Sequence, residues 1–255
     1  MNAEYSSTEM MAIACSRRIT NDDTVFCGTG LPLLAAVAAK MTHAPKCMIF
    51  FETGSMDPTI LEIPLAVSDS RIMYRASHHG SLADSFSYMQ NQRTGKSVLG
   101  ILSGAQIDIH GNLNSTLLGD HCRPTVRLPG SGGACDVATF VGRTFVFMKH
   151  EPRRFVEKLD YLTSPGWLSG GTSRKEAGLP GGGPEAVITT LGVLLFNKKS
   201  KRMYLDRYYE FTSLDEIKES TGFALNISHA KPEKRPSLNE LVILREQVDP
   251  MRLIL

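Results

Sequence analysis

The sequence has no long apolar run, no marked excess of charge of one sign and few aromatic residues. No stretch reaches the length of a membrane-spanning helix. The formal net charge is +2 and aromatic residues make up 7%, which gives no reason to expect nucleic acid or an acidic membrane as partner. The polar residues 1–9 lack the pattern of a secretory signal. We therefore expect a soluble, cytoplasmic protein.

Metal-binding and disulfide patterns are also missing. The five cysteines are widely spaced and include no C-x-x-C, which argues against a disulfide framework or a zinc site. Cys27 and Cys47 lie in apolar runs typical of strands, so we expect both to be buried as small hydrophobic residues. The seven histidines form neither H-x-x-x-H nor H-E-x-x-H, and no metal is expected.

The N-terminal part of the chain has the pattern of a βαβ unit. A capping box at Ser6 predicts a helix over residues 10–19. Residues 24–27 then predict a strand, Leu31–Met41 a helix with proline in its first turn, and 47–51 a second strand. A strand–helix–strand order implies a parallel pair of strands joined by a right-handed crossover.

The rest of the chain is predicted to contain further strands, a hairpin and two helices. These are strands at 97–102 and 144–148, hairpin strands at 186–196 and 201–205, and helices at 213–221 and 237–247. The glycine-rich segment 166–184 is too long to be idle in a compact domain, so we predict a mobile loop at a subunit contact or over a site. Together the elements predict an α/β fold, an open and mainly parallel sheet flanked by helices, in a single domain over residues 1–255.

Glu52 is the first candidate for chemistry. It follows the predicted strand 47–51, and a carboxylate at the C-terminal end of a parallel strand lies on the edge where open α/β sheets bind ligands. Gly54 allows a tight turn there. The alternative is a surface glutamate at the end of a strand, and the short E-x-G pattern alone favours that interpretation.

A second candidate is the glycine turn around Gly28 and Gly30, between the first strand and its helix. Such a turn offers backbone N–H groups and the positive end of a helix dipole to an anion. The third glycine of the dinucleotide fingerprint is missing, and the only acidic residue about twenty positions on is Glu52. A turn that only packs the helix on its sheet is an equally good explanation.

Two later segments add polar groups. Gln106 follows a predicted strand and is suited to contact a substrate, whereas Asn112, in a Gly-Asn pair, is typical of a turn. The run Gly130-Ser131-Gly132-Gly133-Ala134 exposes backbone amides and suits an oxyanion hole; the alternative is a mobile hinge. The basic residues at 153–154 and 198–202 are most simply explained as side chains on solvated faces of the protein. Alternatively, one of the two groups contacts the phosphates of a substrate.

Taken in order along nearly the whole chain, these motifs resemble those of the β subunits of family I CoA-transferases, and most closely the glutaconate-type members. The matching runs include Gly28-Thr29-Gly30-Leu31-Pro32-Leu33, Glu52-Thr53-Gly54, Gly104-Ala105-Gln106-Ile107-Asp108, Gly130-Ser131-Gly132-Gly133-Ala134, His150-Glu151, Thr163-Ser164-Pro165-Gly166-Trp167 and Lys201-Arg202-Met203-Tyr204-Leu205. The resemblance implies an open α/β fold of the NagB/RpiA type and a site shared with a partner A subunit.

The resemblance also implies roles for individual residues. Glu52 corresponds to the nucleophile that forms a glutamyl-CoA thioester. Backbone amides of Gly130, Gly132, Gly133 and Ala134 correspond to the group that holds the oxyanion and CoA, and substrate is oriented by Gln106, Gly28 and Gly30.

The implied substrates are an acyl-CoA such as acetyl-CoA and a short dicarboxylic acid such as glutaconate, with no bound cofactor, no metal and no nucleic acid. A CoA-thioester hydrolase or decarboxylase on the same scaffold, or a non-catalytic CoA-binding subunit, are the alternatives. The related hydrolases and decarboxylases lack the glutamate, so Glu52 favours a transferase.

Overall fold

The computed structural model describes residues 4–255, and the chain divides into two compact units. The first unit comprises the described residues up to Ile101 together with the C-terminal segment Lys234–Leu255. The second unit comprises Leu102–Glu233. This division into units does not test the expectation of a single domain, which stays a prediction.

The first unit contains a parallel sheet core with helices. Its elements, in chain order, are α1 (Ser7–Ser16), β1 (Thr24–Phe26), α2 (Leu31–Met41), β2 (Met48–Phe50), β3 (Ser55–Met56), β4 (His78–His79), α3 (Leu82–Gln90) and β5 (Val98–Ser103), the last of which leads into the second unit. Strand β1 lies between β2 and β5 and runs parallel to both. Strand β3 pairs antiparallel with β2 and with β4.

The predicted βαβ unit is confirmed as β1–α2–β2. Helix α2 has the predicted bounds, with Pro32 in its first turn, and its central residues Leu33–Ala39 are all buried. Helix α1 begins with the predicted capping box between Ser6 and Glu9. It ends at Ser16 rather than at residue 19, because the amide of Ile19 bonds to the Ser16 carbonyl three residues back and tightens the chain into a turn.

The second unit contains a mixed sheet and two small ladders. Its elements are β6 (Gln106–Ile107), β7 (Leu113–Asn114), β8 (Leu117–Gly119), β9 (Pro124–Arg127), α4 (Ala134–Phe140), β10 (Arg143–Met148), α5 (Ser173–Glu176), β11 (Pro184–Thr189), β12 (Gly192–Phe196), β13 (Met203–Tyr208), α6 (Leu214–Glu219) and β14 (Lys231–Pro232). Strands β10 and β11 are parallel, β11, β12 and β13 are antiparallel, and β14 runs parallel to β13.

The chain then returns to the first unit as α7 (Leu238–Val242), which continues as the π-helical turn Ile243–Val248. Both predicted C-terminal helices, at 213–221 and 237–247, are therefore present as α6 and α7 with its extension. No helix within residues 4–255 is long and apolar enough to cross a membrane. The predicted class, an open α/β fold with parallel strands and flanking helices, is confirmed.

One predicted strand, 186–196, is in fact two. The hydroxyl oxygen of Thr189 accepts hydrogen bonds from the amides of Leu191 and Gly192 and so turns the chain between β11 and β12. A side chain at Gly192 would meet the Arg207 carbonyl oxygen at 2.3 Å, so the close approach of the β13 backbone requires glycine at this position. The predicted hairpin around 197–202 is confirmed between β12 and β13.

The glycine-rich segment 166–184 packs closely within the second unit, and its predicted mobility stays a prediction. It contains the short helix α5, and the indole N–H of Trp167 donates to the Pro184 carbonyl at 2.9 Å. A side chain at Gly181 would lie 2.4 Å from the Thr139 carbonyl oxygen, and one at Gly182 would overlap the Gly142 carbonyl. These glycines allow close backbone packing.

The two cysteines expected in the core are there. Cys27 and Cys47 are both fully buried in the first unit. Burial raises the pKa of the Cys27 thiol to about 12 and that of Cys47 to about 11, so both remain protonated and unreactive near neutral pH.

Candidate active site

Glu52 lies in a tight turn between β2 and β3. The Phe51 amide donates to the Ser55 carbonyl at 3.0 Å, and the Gly54 amide donates to the Phe51 carbonyl at 3.0 Å. Gly54 has a φ of +94°, a conformation that glycine adopts without strain. The turn therefore holds Glu52 and Thr53 at the C-terminal end of a buried strand, as the sequence predicts for Glu52.

Two contacts that are distant in sequence hold this turn in place. The Gly80 amide donates to the Gly54 carbonyl at 2.9 Å. The hydroxyl of Ser85, on α3, donates to the Phe51 carbonyl at 3.2 Å, and Ser85 is buried. Nothing in the local pattern around residue 52 points to Gly80 or Ser85, and sequence reasoning missed both.

The Glu52 side chain is half-buried and has no hydrogen bond or ion pair to any residue in the part of the chain that the structure describes. Its neighbour Phe51 is fully buried. A carboxylate whose oxygens are not occupied by donors keeps its lone pairs for an incoming electrophile or ligand. The geometry thus suits a nucleophile or a ligand-binding group better than a structural ion pair.

Gly28 and Glu52 occupy equivalent positions on neighbouring parallel strands. Phe26 is paired with Phe50, and each of the two site residues follows its strand by two positions. Gly30 has a φ of +86° and precedes α2 without a side-chain cap. A side chain at either glycine would meet no atom within 4 Å, so the backbone at this carboxyl edge is open to a ligand.

The predicted oxyanion loop lies in the second unit, where it leads into α4. Side chains added at Gly130 or Gly132 would meet nothing within 4 Å, and both residues have positive φ. The Ala134 amide donates to the Ser131 carbonyl, and the Gly130 amide donates to the Ser115 carbonyl, each at 2.9 Å. These two amides are therefore occupied within the protein.

Three consecutive amides in the same loop remain available. Those of Ser131, Gly132 and Gly133 have no acceptor among residues 4–255. Free amides beside glycines without side chains provide the donors that an oxyanion hole requires. The sequence predicted the run 130–134 as a source of such amides, with Ser131 in the run but not among the residues named individually, and the oxyanion role stays a prediction.

Gln106 is buried and forms internal hydrogen bonds. Its Nε2 donates to Asp160 Oδ2 at 3.0 Å, and its Oε1 accepts from Asn114 Nδ2 at 2.7 Å and from the Asp160 amide at 3.1 Å. These bonds join β6 to β7 and to the segment around residue 160. A direct role of Gln106 toward substrate stays a prediction.

The basic residues at 198–202 line a large groove of about 1320 Å³ in the second unit. Lys201 lies over the Trp167 ring, 4.0 Å from its centre, and Arg143 pairs with Glu185 at 2.8 Å across the start of β10 and β11. The groove lies at the amino ends of these parallel strands, whereas open sheets bind substrates at the carboxyl ends. Arg153 and Arg154, the other basic pair, bond to Glu151.

Comparison with known proteins assigns the chain to a family. Residues 8–220 match the family described as "Coenzyme A transferase". The chain is 41% identical over 252 residues to the B subunit of glutaconate CoA-transferase from Acidaminococcus fermentans, with 96% of this chain and 93% of the relative covered. The chain therefore belongs to the coenzyme A transferase family, as its motifs predict.

Three further comparisons agree with this family and with the fold. The chain is 34% identical over 242 residues to the B subunit of 3-oxoadipate CoA-transferase from Pseudomonas knackmussii, covering 94% and 92% of the two chains. The crystal structure of the Acidaminococcus fermentans glutaconate coenzyme A-transferase matches with a TM-score of 0.95 at 40% identity, over 100% of this chain and 98% of that chain. The decarboxylase AibA/AibB matches at 0.83 with 23% identity, covering 98% and 97%, which shows a common fold.

Proposed function

We propose that this chain is the nucleophile-bearing subunit of a CoA-transferase that moves CoA from an acyl-CoA to a short dicarboxylic acid. The observation that carries the proposal is the Glu52 carboxylate, half-buried at the end of β2 and free of protein partners among residues 4–255, in a member of the coenzyme A transferase family. Acetyl-CoA is the proposed donor and glutaconate the proposed type of acceptor. The two curated relatives are named for glutaconate and 3-oxoadipate, both of them short dicarboxylates.

The first half of the reaction transfers CoA to the protein. A Glu52 oxygen attacks the thioester carbonyl carbon, the carbon–sulfur bond breaks, and CoA leaves as a thiolate. The product is a mixed anhydride between Glu52 and the acyl group. The thiolate then attacks the glutamyl carbonyl carbon and expels the acyl group as a free carboxylate, which leaves Glu52 as a CoA thioester.

The second half is the reverse sequence with the acceptor acid. The acceptor carboxylate attacks the Glu52 thioester and releases CoA thiolate, and that thiolate attacks the acceptor carbonyl of the new anhydride. A new acyl-CoA forms and the Glu52 carboxylate is regenerated. Since each step exchanges one acyl bond for another, the thioester energy is conserved and ping-pong kinetics are expected.

Other residues are proposed to assist. Each attack produces a tetrahedral oxyanion, and the free amides of the loop that contains Gly132 and Gly133 are suited to donate to it. Gly28 and Gly30, beside Glu52, are suited to hold an anionic part of the substrate. Coenzyme A enters as a substrate thioester rather than as a resident cofactor.

A partner A subunit is proposed to complete the site. Both curated relatives are named as the B subunit of a transferase. An anhydride intermediate hydrolyses readily, so water must be kept from Glu52, and that side chain is only half-buried in this chain. A partner subunit that covers the turn would keep water away from Glu52.

The decisive experiment traps the intermediate. The chain is co-expressed with an A-type subunit, incubated with acetyl-CoA without acceptor, and treated with hydroxylamine or borohydride. Peptide mass spectrometry should find a modified Glu52, and Glu52→Gln should abolish both the adduct and CoA transfer to glutaconate. Glu157→Gln, at an exposed position, is the matched control and should retain both.

The alternatives give different results. Steady release of free CoA without an adduct indicates a hydrolase, and release of CO2 from an acyl-CoA indicates a decarboxylase. Binding of CoA with no turnover at all indicates a non-catalytic subunit. Transfer activity that survives Glu52→Gln would also contradict the proposal.

A further inference from the structure

Arg174 is a buried cation whose five N–H groups all reach backbone carbonyls. It lies on α5, in the glycine-rich segment 166–184, and is 4% exposed. Its Nε donates to Gly181, its Nη1 to Pro165 and Gly166, and its Nη2 to Ala138 and Thr139, over distances of 2.6–3.1 Å. A guanidinium has five donors, so every one is used.

No carboxylate compensates this charge within residues 4–255, because Arg174 forms no ion pair there. Burial lowers its pKa only to about 10, so it stays charged at neutral pH. Burying a cation costs free energy. The carbonyl groups that accept hydrogen bonds from Arg174 therefore show which parts of the chain this residue holds in place. Two of them, the carbonyls of Ala138 and Thr139, belong to the last turn of α4, where a cation also interacts favourably with the helix dipole.

The same end of α4 is held by the glycine run. The Gly181 amide donates to the Thr139 carbonyl at 2.9 Å, and the Gly182 amide donates to the Val141 carbonyl at 3.1 Å. Any side chain at Gly182 would overlap the Gly142 carbonyl oxygen, at 1.8 Å. The segment thus lies directly against the backbone that follows α4.

The other end of α4 carries the three free amides. The helix begins at Ala134, directly after Gly133, and the Val137 amide donates to the Gly133 carbonyl at 3.0 Å. At a rise of about 1.5 Å per residue, the carbonyls that Arg174 binds lie only about 6–8 Å along the axis from the first turn. The Val141 amide donates to the Val137 carbonyl at 3.3 Å, so consecutive hydrogen bonds connect the end of α4 to Gly133. A shift at the end of the helix is therefore expected to displace the loop at its beginning.

We propose that Arg174 is a positioning residue: together with Gly181 and Gly182 it makes the segment 166–184 a rigid brace that sets the position of the amides of Ser131, Gly132 and Gly133 through α4. The inference rests on the proposed oxyanion role of these amides. Misplacing donors by about 1 Å costs up to about 100-fold in rate, so the brace affects the chemical step more than substrate binding.

The test uses two independent changes to the brace in the co-expressed complex. Arg174→Lys keeps the charge but loses the planar fork, and Gly182→Ala forces the segment away from Gly142. Lys175→Gln, at an exposed position on the same short helix, is the control. Each complex is assayed at a temperature at which its melting curve shows it fully folded, for kcat, for KM toward acetyl-CoA and for the rate of Glu52 adduct formation.

We expect kcat and the rate of adduct formation to fall by about 10- to 100-fold in both brace variants, with KM changed by less than about 3-fold, because an oxyanion donor acts mainly in the transition state. Lys175→Gln should match the unaltered complex. Arg174→Ala with added guanidinium, at concentrations too low to denature, should recover part of the lost kcat.

Other results overturn the inference. Folded brace variants with kcat within about 2-fold of the unaltered complex would contradict it. A kcat that falls only in proportion to the folded fraction would make Arg174 purely structural. If the unaltered complex forms no adduct at Glu52, the proposed function itself fails; if it does, and the variants form it equally fast, only the brace is wrong.

Discussion

The α-carbon of Gly54 lies directly against the backbone of Gly80: a Cβ on Gly54 would come within 2.4 Å of the Gly80 carbonyl carbon. The two residues are also joined by a hydrogen bond from the Gly80 amide to the Gly54 carbonyl. This contact holds the turn that carries Glu52 in place. Gly80 lies on the side of the turn opposite β2, the strand that Glu52 follows. It explains why the second position after the proposed nucleophile is a glycine, since both the space and the φ of +94° exclude other residues.

Gly54→Ala should therefore displace the turn. We expect a loss of more than about 1 kcal/mol in unfolding free energy, from the strained φ and the clash together, and a fall in adduct formation at Glu52. Urea denaturation and the trapping experiment measure the two effects. Gly28→Ala, where the added Cβ meets nothing within 4 Å, should leave stability unchanged; equal destabilisation by both substitutions would contradict this account.

His150 should make the stability of the second unit depend on pH. It is 5% exposed, accepts or donates hydrogen bonds with the hydroxyls of Thr189 and Thr221, and stacks on Phe155. Burial lowers its pKa from 6.5 to about 4. Because the unfolded chain takes up this proton first, stability should fall as the pH drops from about 6.5 to about 4, by on the order of 3 kcal/mol in total.

The measurement is the unfolding free energy in urea at several pH values. His150→Gln keeps a hydrogen-bonding side chain but does not titrate, so it should flatten the curve between pH 6.5 and about 4. His229→Gln, at an exposed position, should leave the curve as it is. An unchanged pH dependence in His150→Gln would show that another group is responsible.

Glu9 should contribute stability in a lower pH range. Burial raises its pKa, but hydrogen bonds from Arg245 and Ser6 outweigh that effect and leave the pKa lowered from 4.5. The stability it provides is complete above about pH 4.5 and is lost as the pH falls through the folded-state pKa. Glu9→Gln should cost roughly 1–3 kcal/mol at pH 7, whereas the exposed control Glu246→Gln should cost nothing measurable. Equal stability of both variants in urea would contradict this.

Substitutions of Gln106 should show whether this residue stabilises the fold or contacts the substrate. Gln106→Leu leaves Asn114 Nδ2 without the acceptor Gln106 Oε1 and removes two bonds to Asp160, so we expect a loss of roughly 1–3 kcal/mol in unfolding free energy. Gln106→Glu keeps an acceptor but puts a second carboxylate beside Asp160, and should be destabilised most at neutral pH and least in acid. A raised KM for the dicarboxylate in folded variants would support the predicted substrate contact.

Local patterns determined much of the fold. The capping box at Ser6, the bounds of α2 and the parallel β1–α2–β2 unit follow from spacing and end signals. The strand predicted at 186–196 was wrong because an apolar run does not reveal the turn that Thr189 imposes. The close packing of the segment 166–184 was not predicted for a related reason: glycines that permit motion and glycines that permit close packing look alike in sequence.

The sequence by itself determined the family, the class of fold and the proposed nucleophile, because these depend on an ordered set of local motifs that includes Glu52. Only the tertiary structure decided which groups are free to act: the unpartnered Glu52 carboxylate, and the amides of Ser131, Gly132 and Gly133 rather than those of Gly130 and Ala134, within residues 4–255. It also identified Gly80, Ser85 and Arg174 as their supports. Whether a donor is free depends on where the rest of the chain places its acceptors, and that information is absent from any local pattern.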